Sequence, residues 1–253
     1  MKWGYYALSG RTRLVRERLR RHAISQQKWK LLHAVSRYLG GVPFVRMLAG
    51  SGSLAMNNTK PSSDLDVFVV THPKRIWTAR FFLLMVSQFL GVRRKYWDRR
   101  APDKVCLNHY VTEDSMEIHS DIRNVYTAVL YSFLVPIYGE HVLQAFHKKN
   151  DGWMRQFVMS PTYPVAGHWY VARLAGPFVF LKRMIEQVLL EPLGDSFEKI
   201  AERVQRRNIG RHTRPKQPGR VAVSTGELAF HPDTKVPSIL VAFEQDPHQR
   251  TLL

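Results

Sequence analysis

The sequence predicts a mixed α/β (α+β) protein, and three patterns carry this prediction. Residues 44–49 and 65–70 are short, strongly apolar runs of the kind that form buried strands. Residues 76–90 are apolar on nearly every side, as expected for a helix that packs against a sheet. In residues 26–39, apolar side chains recur at three- and four-residue spacing, which indicates a helix with one buried stripe. Strands and helices therefore alternate in this part of the chain.

The N-terminal part of the chain adds a strand and a basic helix. Residues 3–8 are aromatic and strand-like. Residues 11–22 have a helical pattern and are rich in arginine. Ser25 is a suitable N-cap, so we expect a second helix to begin after it and to cover residues 26–39.

The chain beyond the helix at residues 76–90 changes character twice. A charged connection leads to a strand at residues 105–111, and a further short strand is predicted at residues 115–119. From residue 124 onward the pattern is mainly helical. It is interrupted by prolines at Pro136, Pro161, Pro164, Pro177 and Pro192.

The end of the chain is basic. Residues 203–220, with Pro215, Pro218 and Gly219 near their end, predict a mobile linker, which a short strand at residues 221–223 follows. These patterns divide the chain into four segments: an N-terminal strand with basic helices (1–40), a core (41–122), a helical domain (123–202), and a basic linker and tail (203–253).

The charge of the chain narrows the classes of partner. The 253 residues include 38 Lys and Arg against 20 Asp and Glu, a net charge of +18. Such a surface attracts polyanions such as nucleic acid, nucleotide phosphates or anionic lipid.

Cys106 is the single cysteine, which excludes an intrachain disulfide and favours a reducing compartment, the cytoplasm. No signal peptide or membrane-spanning segment is predicted, because the apolar runs at residues 81–92 and 125–139 are too short.

Asp64 and Asp66 form the most informative motif. They are separated by one apolar residue at the start of the strand at residues 65–70, so both side chains point to the same face. Two carboxylates this close raise each other's pKa unless a divalent cation lies between them. Mg²⁺ prefers oxygen ligands and takes only one or two protein carboxylates, which leaves positions for substrate phosphates. The motif therefore predicts a site for Mg²⁺ or Mn²⁺.

A glycine-serine loop precedes this motif. Gly50 and Gly52 allow the backbone to turn and to approach a ligand closely. Backbone amides there, with the hydroxyls of Ser51 and Ser53, suit the phosphates of a nucleoside triphosphate. An Asp-x-Asp after a serine-rich loop is also common as a turn followed by a strand cap. The complete order of apolar strand, glycine-serine loop, spacer, Asp-x-Asp and apolar strand favours phosphoryl or nucleotidyl transfer.

This order resembles the signature of the nucleotidyltransferase superfamily typified by DNA polymerase beta, in which a Gly-Ser element and a spacer precede Asp-x-Asp or Asp-x-Glu. Gly52-Ser53 and Asp64-Leu65-Asp66 match that signature. More narrowly, the chain resembles a group of bacterial and archaeal nucleotidyltransferase-domain proteins. The resemblance spans most of the chain and rests on residues 52–58, 63–66, 76–80, 103–108, 126–128 and 227–232.

The resemblance implies a polymerase-beta-like core at residues 41–122, with a small mixed sheet, flanking helices and a helical C-terminal region that closes over it. It also implies transfer of a nucleoside monophosphate from a nucleoside triphosphate to an acceptor hydroxyl or protein side chain. In this interpretation Asp64 and Asp66 hold Mg²⁺, while Gly52 and Ser53 bind the triphosphate.

Active members of the superfamily also carry a third carboxylate on the strand that follows the helix. At that place this chain has Asn108, whose amide is a poorer metal ligand and cannot accept a proton from an attacking hydroxyl. Glu117, between two apolar residues, fits the expected pattern and is the substitute candidate for third ligand or general base.

Several other side chains keep two interpretations each. Lys60 and Lys104 precede the strands of the predicted site and either contact phosphate or are solvated. Arg80, on the helix at residues 76–90, either faces the site or covers an apolar surface. Cys106 is expected to be a buried structural thiol.

Two other functions are compatible with the sequence. A catalytically degenerate nucleotidyltransferase-fold module would bind nucleic acid or a partner protein through the basic stretches at residues 11–21 and 203–220, without a need for Mg²⁺. A peripheral membrane-surface protein would use the aromatic and basic residues of the segment 169–190.

Overall fold

The computed structural model of the protein describes residues 7, 9–95, 98, 100–158, 174, 176–190, 192–212, 220–231 and 236–245. Most of the strand predicted at residues 3–8 lies outside these ranges, as do Trp169 and Tyr170 of the predicted membrane-surface segment.

Six strands of the described chain form one mixed sheet. In order across the sheet they are β4 (Val135–Tyr138), β1 (Val45–Gly50), β2 (Leu65–Thr71), β3 (Val105–Thr112), β6 (Glu227–His231) and β5 (Arg220–Val223). β2 and β3 are parallel, and every other neighbouring pair is antiparallel. The strands predicted at residues 44–49, 65–70, 105–111 and 221–223 are confirmed, with small differences at their ends.

Eight α-helices accompany the sheet in the described residues, which confirms the predicted α+β class. They are α1 (Arg13–Gly40), α2 (Gly52–Ala55), α3 (Ile76–Phe89), α4 (Val125–Ser132), α5 (Glu140–Met154), α6 (Gly176–Val188), α7 (Leu193–His212) and α8 (Val236–Glu244). α1, α3 and α7 pack on one face of the sheet, whereas α4 and α5 pack on the other. None of these helices combines the length and the apolar character that a membrane crossing requires.

Strand β2 explains why the two faces differ in their partners. Val67 and Val69 contribute to the apolar cluster with α1 and α3, whereas Phe68 and Val70 contribute to the cluster with α4 and α5. Successive side chains of a strand point to opposite faces, so a strand that is covered on both faces needs a continuous apolar run. Burial of each such side chain contributes about 1.5–3 kcal/mol to stability. The two clusters therefore hold the ends of the central strands in fixed positions.

One long helix replaces the two that the sequence predicts at residues 11–22 and 26–39. α1 continues through Ser25, so the prediction that this residue is an N-cap is wrong. The Ser25 hydroxyl donates to the carbonyl of Arg21 at 2.8 Å and lies 2.9 Å from the hydroxyl of Thr59. A serine inside a helix bonds back to the preceding turn in this way. The contact with Thr59 also ties α1 to the loop that follows α2.

Two further predictions differ from the structure. Residues 115–119 form no strand, and short 3₁₀ turns occur at Glu113–Ser115 and Ser120–Ile122 instead. Residues 203–212 belong to α7 rather than to a linker, and residues 213–219 of that predicted linker lie outside the described ranges.

The sheet takes its strands from three of the four predicted segments. β4 comes from the segment 123–202, and Pro136 lies within this strand rather than between helices. A proline is tolerated there because β4 is an edge of the described sheet. β5 and β6 come from the segment 203–253 and extend the sheet beyond β3.

Candidate functional site

Three strand ends meet where the glycine-serine loop leaves the sheet. β1 ends at Gly50, which pairs with Val67 of β2, and the amide of Ser51 donates a 3.0 Å hydrogen bond to the carbonyl of Asp66. On the other side of β2, Asp66 pairs with Cys106 of β3. Parallel pairing brings the first residues of β2 and β3 to the same end of the sheet. Polar side chains at these positions therefore lie together.

Asp64, Asp66 and Cys106 form the one group of three His, Cys, Asp or Glu side chains in the described residues that is close enough to hold a metal ion. One ligand atom from each residue lies within 4.8 Å of the others, and all three residues are partly buried. The structure thus brings together the two aspartates that the sequence singled out. The thiol of Cys106, expected to be a buried structural group, lies beside the two carboxylates.

An irregularity in the pairing of β2 with β3 accompanies the placement of Asn108. Asp66 and Phe68 pair with Cys106 and His109, so β3 contains one extra residue between these pairs. A bulge of this kind changes the direction of a side chain. The Nδ2 atom of Asn108 donates a 2.9 Å hydrogen bond to Oδ1 of Asp66. Asn108 therefore contacts the aspartate pair from the strand on which the resemblance implies a third carboxylate.

Arg94, in the connection between α3 and β3, provides positive charge at this site. Its guanidinium forms an ion pair with Asp64 and lies 3.6 Å from Sγ of Cys106. The side chains of Arg94 and Asp64 are 37% and 20% exposed, so solvent partly screens their attraction. Arg94 offsets part of the repulsion between the two carboxylates.

Burial dominates the electrostatics of Asp66. Burial and the neighbouring Asp64 raise the pKa of Asp66 to about 7, although Arg94 and Asn108 both act to lower it. Burial also raises the pKa of the Cys106 thiol well above its usual range, and the two carboxylates add to this effect. Additional positive charge at this position would favour the ionised aspartates.

Gly52 approaches Asp66 more closely than a side chain would allow. Its φ of 60° lies in the left-handed region, and a Cβ atom at this position would lie 3.0 Å from Oδ2 of Asp66. Glycine meets both requirements at little steric cost. Ser53 is the second residue of α2, and its carbonyl accepts a 2.8 Å hydrogen bond from the amide of Asn58. The Gly-Ser element is therefore built directly against the aspartate pair.

Helix α1 holds the loop that follows this element. The guanidinium of Arg18 donates to the carbonyls of Met56, at 2.9 Å, and Asn57. The indole of Trp29 donates a 3.1 Å hydrogen bond to Oδ1 of Asn57, and the same ring fills the space beside Gly50, where a Cβ atom would come within 2.4 Å of it. The basic part of α1 is thus attached to the loop beside the site.

Two predicted site residues do not join the aspartates. Glu117 lies beside Val111, about 16 Å along β3 from Cys106 at the usual rise per residue. Its side chain is 67% exposed and forms a 2.8 Å ion pair with Arg123. Lys60 is exposed on the loop between α2 and β2 and forms no hydrogen bond or ion pair with either aspartate in the described structure.

The sequence patterns do not predict a place at this site for Arg94, Cys106 or Tyr126. Tyr126 is the second residue of α4, and burial, followed by the charge of Asp66, raises the pKa of its hydroxyl. The sequence predicts a strand at residues 105–111 and shows a resemblance at residues 126–128, but neither pattern predicts that Cys106 and Tyr126 lie near the aspartates. The proximity of these residues to the aspartates depends on strand register and helix packing, which a local sequence pattern does not predict.

Comparison with known proteins adds no assignment. No protein family model matches the chain, and no curated protein or solved structure matches it either.

Proposed function

We propose that this protein is a metal-dependent nucleotidyltransferase that moves a nucleoside monophosphate from a nucleoside triphosphate to an acceptor hydroxyl or protein side chain. The observation that carries the proposal is the close approach of the Gly-Ser turn to the aspartate pair. A Cβ atom on Gly52 would lie 3.0 Å from Asp66, whose ligand atoms lie within 4.8 Å of those of Asp64 and Cys106. Phosphate-binding amides and metal-binding carboxylates are the two groups that this chemistry needs side by side.

The donor set suits a hard divalent cation. Asp64 and Asp66 would hold Mg²⁺ or Mn²⁺, because carboxylate oxygens are the ligands these ions prefer. Burial and mutual repulsion disfavour the charged form of Asp66, and a cation would relieve both effects. The thiol of Cys106 is a poor ligand for Mg²⁺, so we give it no metal-binding role. When bound, the cation supplies positive charge against the charge that develops on the transferred phosphoryl group.

The residues of the chain position the reactants. Backbone amides at Gly52 and Ser53 would bind phosphate oxygens and hold the triphosphate in line with the acceptor. Asn108 fixes the orientation of Asp66 through its 2.9 Å hydrogen bond. Arg94 would exchange its contact with Asp64 for a phosphate oxygen as substrate enters, since a guanidinium binds either group.

The direct test is nucleotide transfer. Purified protein is incubated with each α-labelled nucleoside triphosphate, Mg²⁺ or Mn²⁺, and cell extract. We expect label on an acceptor molecule, and loss of that label when Asp64 and Asp66 are both changed to Ala. Glu117→Gln is the matched control, because it also removes a carboxylate but lies away from the site and should retain transfer. Equal transfer by the double aspartate variant would reject the assignment.

A second candidate function, a catalytically degenerate module that binds nucleic acid, is favoured by two observations. Each aspartate has a protein partner, since Arg94 forms an ion pair with Asp64 and Asn108 donates a hydrogen bond to Asp66. In addition, a groove of about 510 Å³ follows the basic part of α1, lined by Arg13, Leu14, Arg16, Glu17, Arg20 and Arg21. Four arginines along one groove suit a phosphate backbone.

This second function predicts binding that is independent of Mg²⁺. Affinity for RNA or DNA should fall steeply with salt in the presence of chelator, and changing Arg13, Arg16 and Arg20 to Gln should flatten the slope by about three. Nucleic-acid binding without nucleotide transfer would favour the module. Transfer that survives loss of the three arginines would favour the enzyme acting on another acceptor.

A further inference from the structure

Four buried side-chain atoms in the described residues have no hydrogen-bond partner: Nε1 of Trp77, Nε of Arg80, Nε of Arg93 and the hydroxyl of Tyr110. All four belong to one unit of the fold, which consists of α3, β3 and the connection between them. Each of these groups is a hydrogen-bond donor, and two of them belong to positively charged side chains. Buried donors normally have partners, so the missing partner is an acceptor.

Arg80 is the centre of this group. Its Cζ atom lies 4.8 Å from the ring centroid of Phe230 and 6.0 Å from that of Tyr110. Its Nη1 atom donates a 2.5 Å hydrogen bond to Oε1 of Gln205, which is an uncharged partner. Neither Arg80 nor Arg93 forms an ion pair with any described carboxylate.

The buried lysines and arginines elsewhere in the described chain have hydrogen-bond or ion-pair partners for their charged groups. Lys28 contacts Asp103 at 2.5 Å and two backbone carbonyls. Arg75 contacts Asp195 at 2.6 Å. Lys182 donates to the carbonyls of two residues and to a tyrosine hydroxyl. Within the described residues, buried side-chain donors without a hydrogen-bond partner are therefore confined to the α3–β3 unit.

The two arginines of this unit also repel each other. Burial lowers the pKa of the Arg80 guanidinium, and the nearby charge of Arg93 acts in the same direction. Tyr110 is completely buried, and its hydroxyl offers a further unpartnered donor beside these charges. Two like charges close together, one of them largely buried, are destabilising unless an anion joins them.

We infer that Arg80, Arg93 and Tyr110 form a binding site for a phosphate-sized oxyanion. Guanidinium groups bind the oxygens of such an anion through short, charge-assisted hydrogen bonds, and a tyrosine hydroxyl donates one more. The anion has only acceptor atoms, so it satisfies the unpartnered donors and neutralises the two charges at once. Trp77 lies one turn before Arg80 on α3, and its indole Nε1 is the fourth unpartnered donor of the unit.

This site is separate from the aspartate pair. Tyr110 belongs to the apolar cluster with α1, α3 and α7, whereas Phe68, which follows Asp66 on the same face of β2, belongs to the cluster with α4 and α5. Arg93 is partly exposed, so the anion would enter where this residue reaches the surface.

Thermal unfolding in phosphate tests the inference. Inorganic phosphate is titrated into the full chain, with chloride used to hold ionic strength constant. A ligand that binds only the folded protein raises the unfolding temperature in proportion to the logarithm of its concentration. We expect such a rise, and we expect the variant with Asp64 and Asp66 changed to Ala to retain it. A wild-type unfolding temperature that phosphate leaves unchanged would overturn the proposal.

Variants locate the site. Tyr110→Phe preserves packing and loses one donor, and Arg93→Gln loses one charge, so each should weaken phosphate binding measured by calorimetry about tenfold. Arg206→Gln is the matched control, because its guanidinium lies over the Trp77 ring at 5.2 Å but pairs with Glu202, and it should bind phosphate like the wild type. Unchanged affinity in both Tyr110→Phe and Arg93→Gln would contradict the assignment.

A parallel titration with adenosine monophosphate identifies the source of the anion. Binding that is lost in Arg93→Gln would assign the site to a phosphate monoester. Binding of inorganic phosphate alone would assign it to the free anion.

Discussion

The side-chain amide of Asn108 donates a 2.9 Å hydrogen bond to the carboxylate of Asp66. The bulge between β2 and β3 accompanies this contact, which joins a residue of β3 to the Asp-x-Asp motif of β2. An amide at this position stabilises the charged carboxylate, whereas a third carboxylate would repel it.

Replacement of Asn108 by Asp should therefore make folding more dependent on metal. In chelator, a third negative charge beside Asp64 and Asp66 should lower the free energy of unfolding by about 1–3 kcal/mol, which is the range for an unpaired buried polar group. Mg²⁺ or Mn²⁺ should restore most of this loss. Urea denaturation with and without metal measures both effects, and Asn108→Ala is the control because it removes the amide without adding charge. A metal response no larger than that of Asn108→Ala would contradict this prediction.

Arg94 competes with a metal ion for Asp64. The ion pair between them leaves less negative charge available to a cation, so Arg94→Gln should tighten Mn²⁺ binding by about two- to fivefold, as expected for a partly screened pair. Calorimetric titration of the metal measures the change. Arg100→Gln removes an exposed arginine of the same connection and should leave the affinity near that of the wild type. Weaker Mn²⁺ binding by Arg94→Gln would mean that the arginine supports the site instead.

A comparison of Gly52 with Gly91 distinguishes the energetic cost of a left-handed backbone from the cost of the close approach to Asp66. Their φ angles are 60° and 67°, but a Cβ atom on Gly91 would meet nothing within 4 Å. Gly91→Ala should cost about 1 kcal/mol of stability through its left-handed backbone alone. Gly52→Ala should cost about 1–3 kcal/mol more, because the added methyl group displaces the Asp66 carboxylate. Chemical denaturation of both variants gives the difference, and equal losses would show that the contact has no energetic weight.

Glu227 links stability to acidic pH. Burial alone would raise the pKa of Glu227, but hydrogen bonds from Arg220 and His109 lower it to about 2, from 4.5. A depressed carboxylate pKa adds stability that is complete above pH 4.5 and is lost as the pH falls from about 4.5 to about 2. Glu227→Gln should therefore cost about 3 kcal/mol at neutral pH and progressively less below pH 4.5.

Denaturation of Glu227→Gln at pH 7, 4 and 3 measures this dependence. Glu202→Gln is the matched control, since Glu202 also pairs with an arginine, Arg206, but on the surface of α7. The free energy of unfolding of Glu202→Gln should stay within about 0.5 kcal/mol of the wild-type value at every pH. A difference between Glu227→Gln and the wild type that stays constant down to pH 3 would exclude the proposed linkage.

The central strands and α3 could be predicted from sequence because their signal is local. A strand covered on both faces, such as Leu65–Thr71, needs a continuous apolar run whatever lies beside it. Predictions failed where a distant contact decides the outcome. Ser25 suits an N-cap by type, but its hydroxyl is occupied by Arg21 and Thr59 within a continuous helix. β4 escaped prediction because four residues around Pro136 carry too little pattern.

The candidate site divides in the same way. Gly52, Asp64 and Asp66 lie within one short stretch, so the sequence motif identifies them together. Arg94 and Cys106 join them only through the register of β3 against β2, which is set by the packing of both faces. Glu117 satisfied the expected pattern of an acid between apolar residues, yet it lies at the other end of β3.

The short strand β4 affects how the protein behaves when it is concentrated. An edge strand offers unpaired backbone groups to other chains, and long, flat edges seed β-linked aggregates. β4 spans only Val135–Tyr138, and Pro136 removes one of its few backbone donors. The net charge of +18 also makes the molecules repel one another. We therefore expect little β-linked aggregation through the β4 edge of the described sheet.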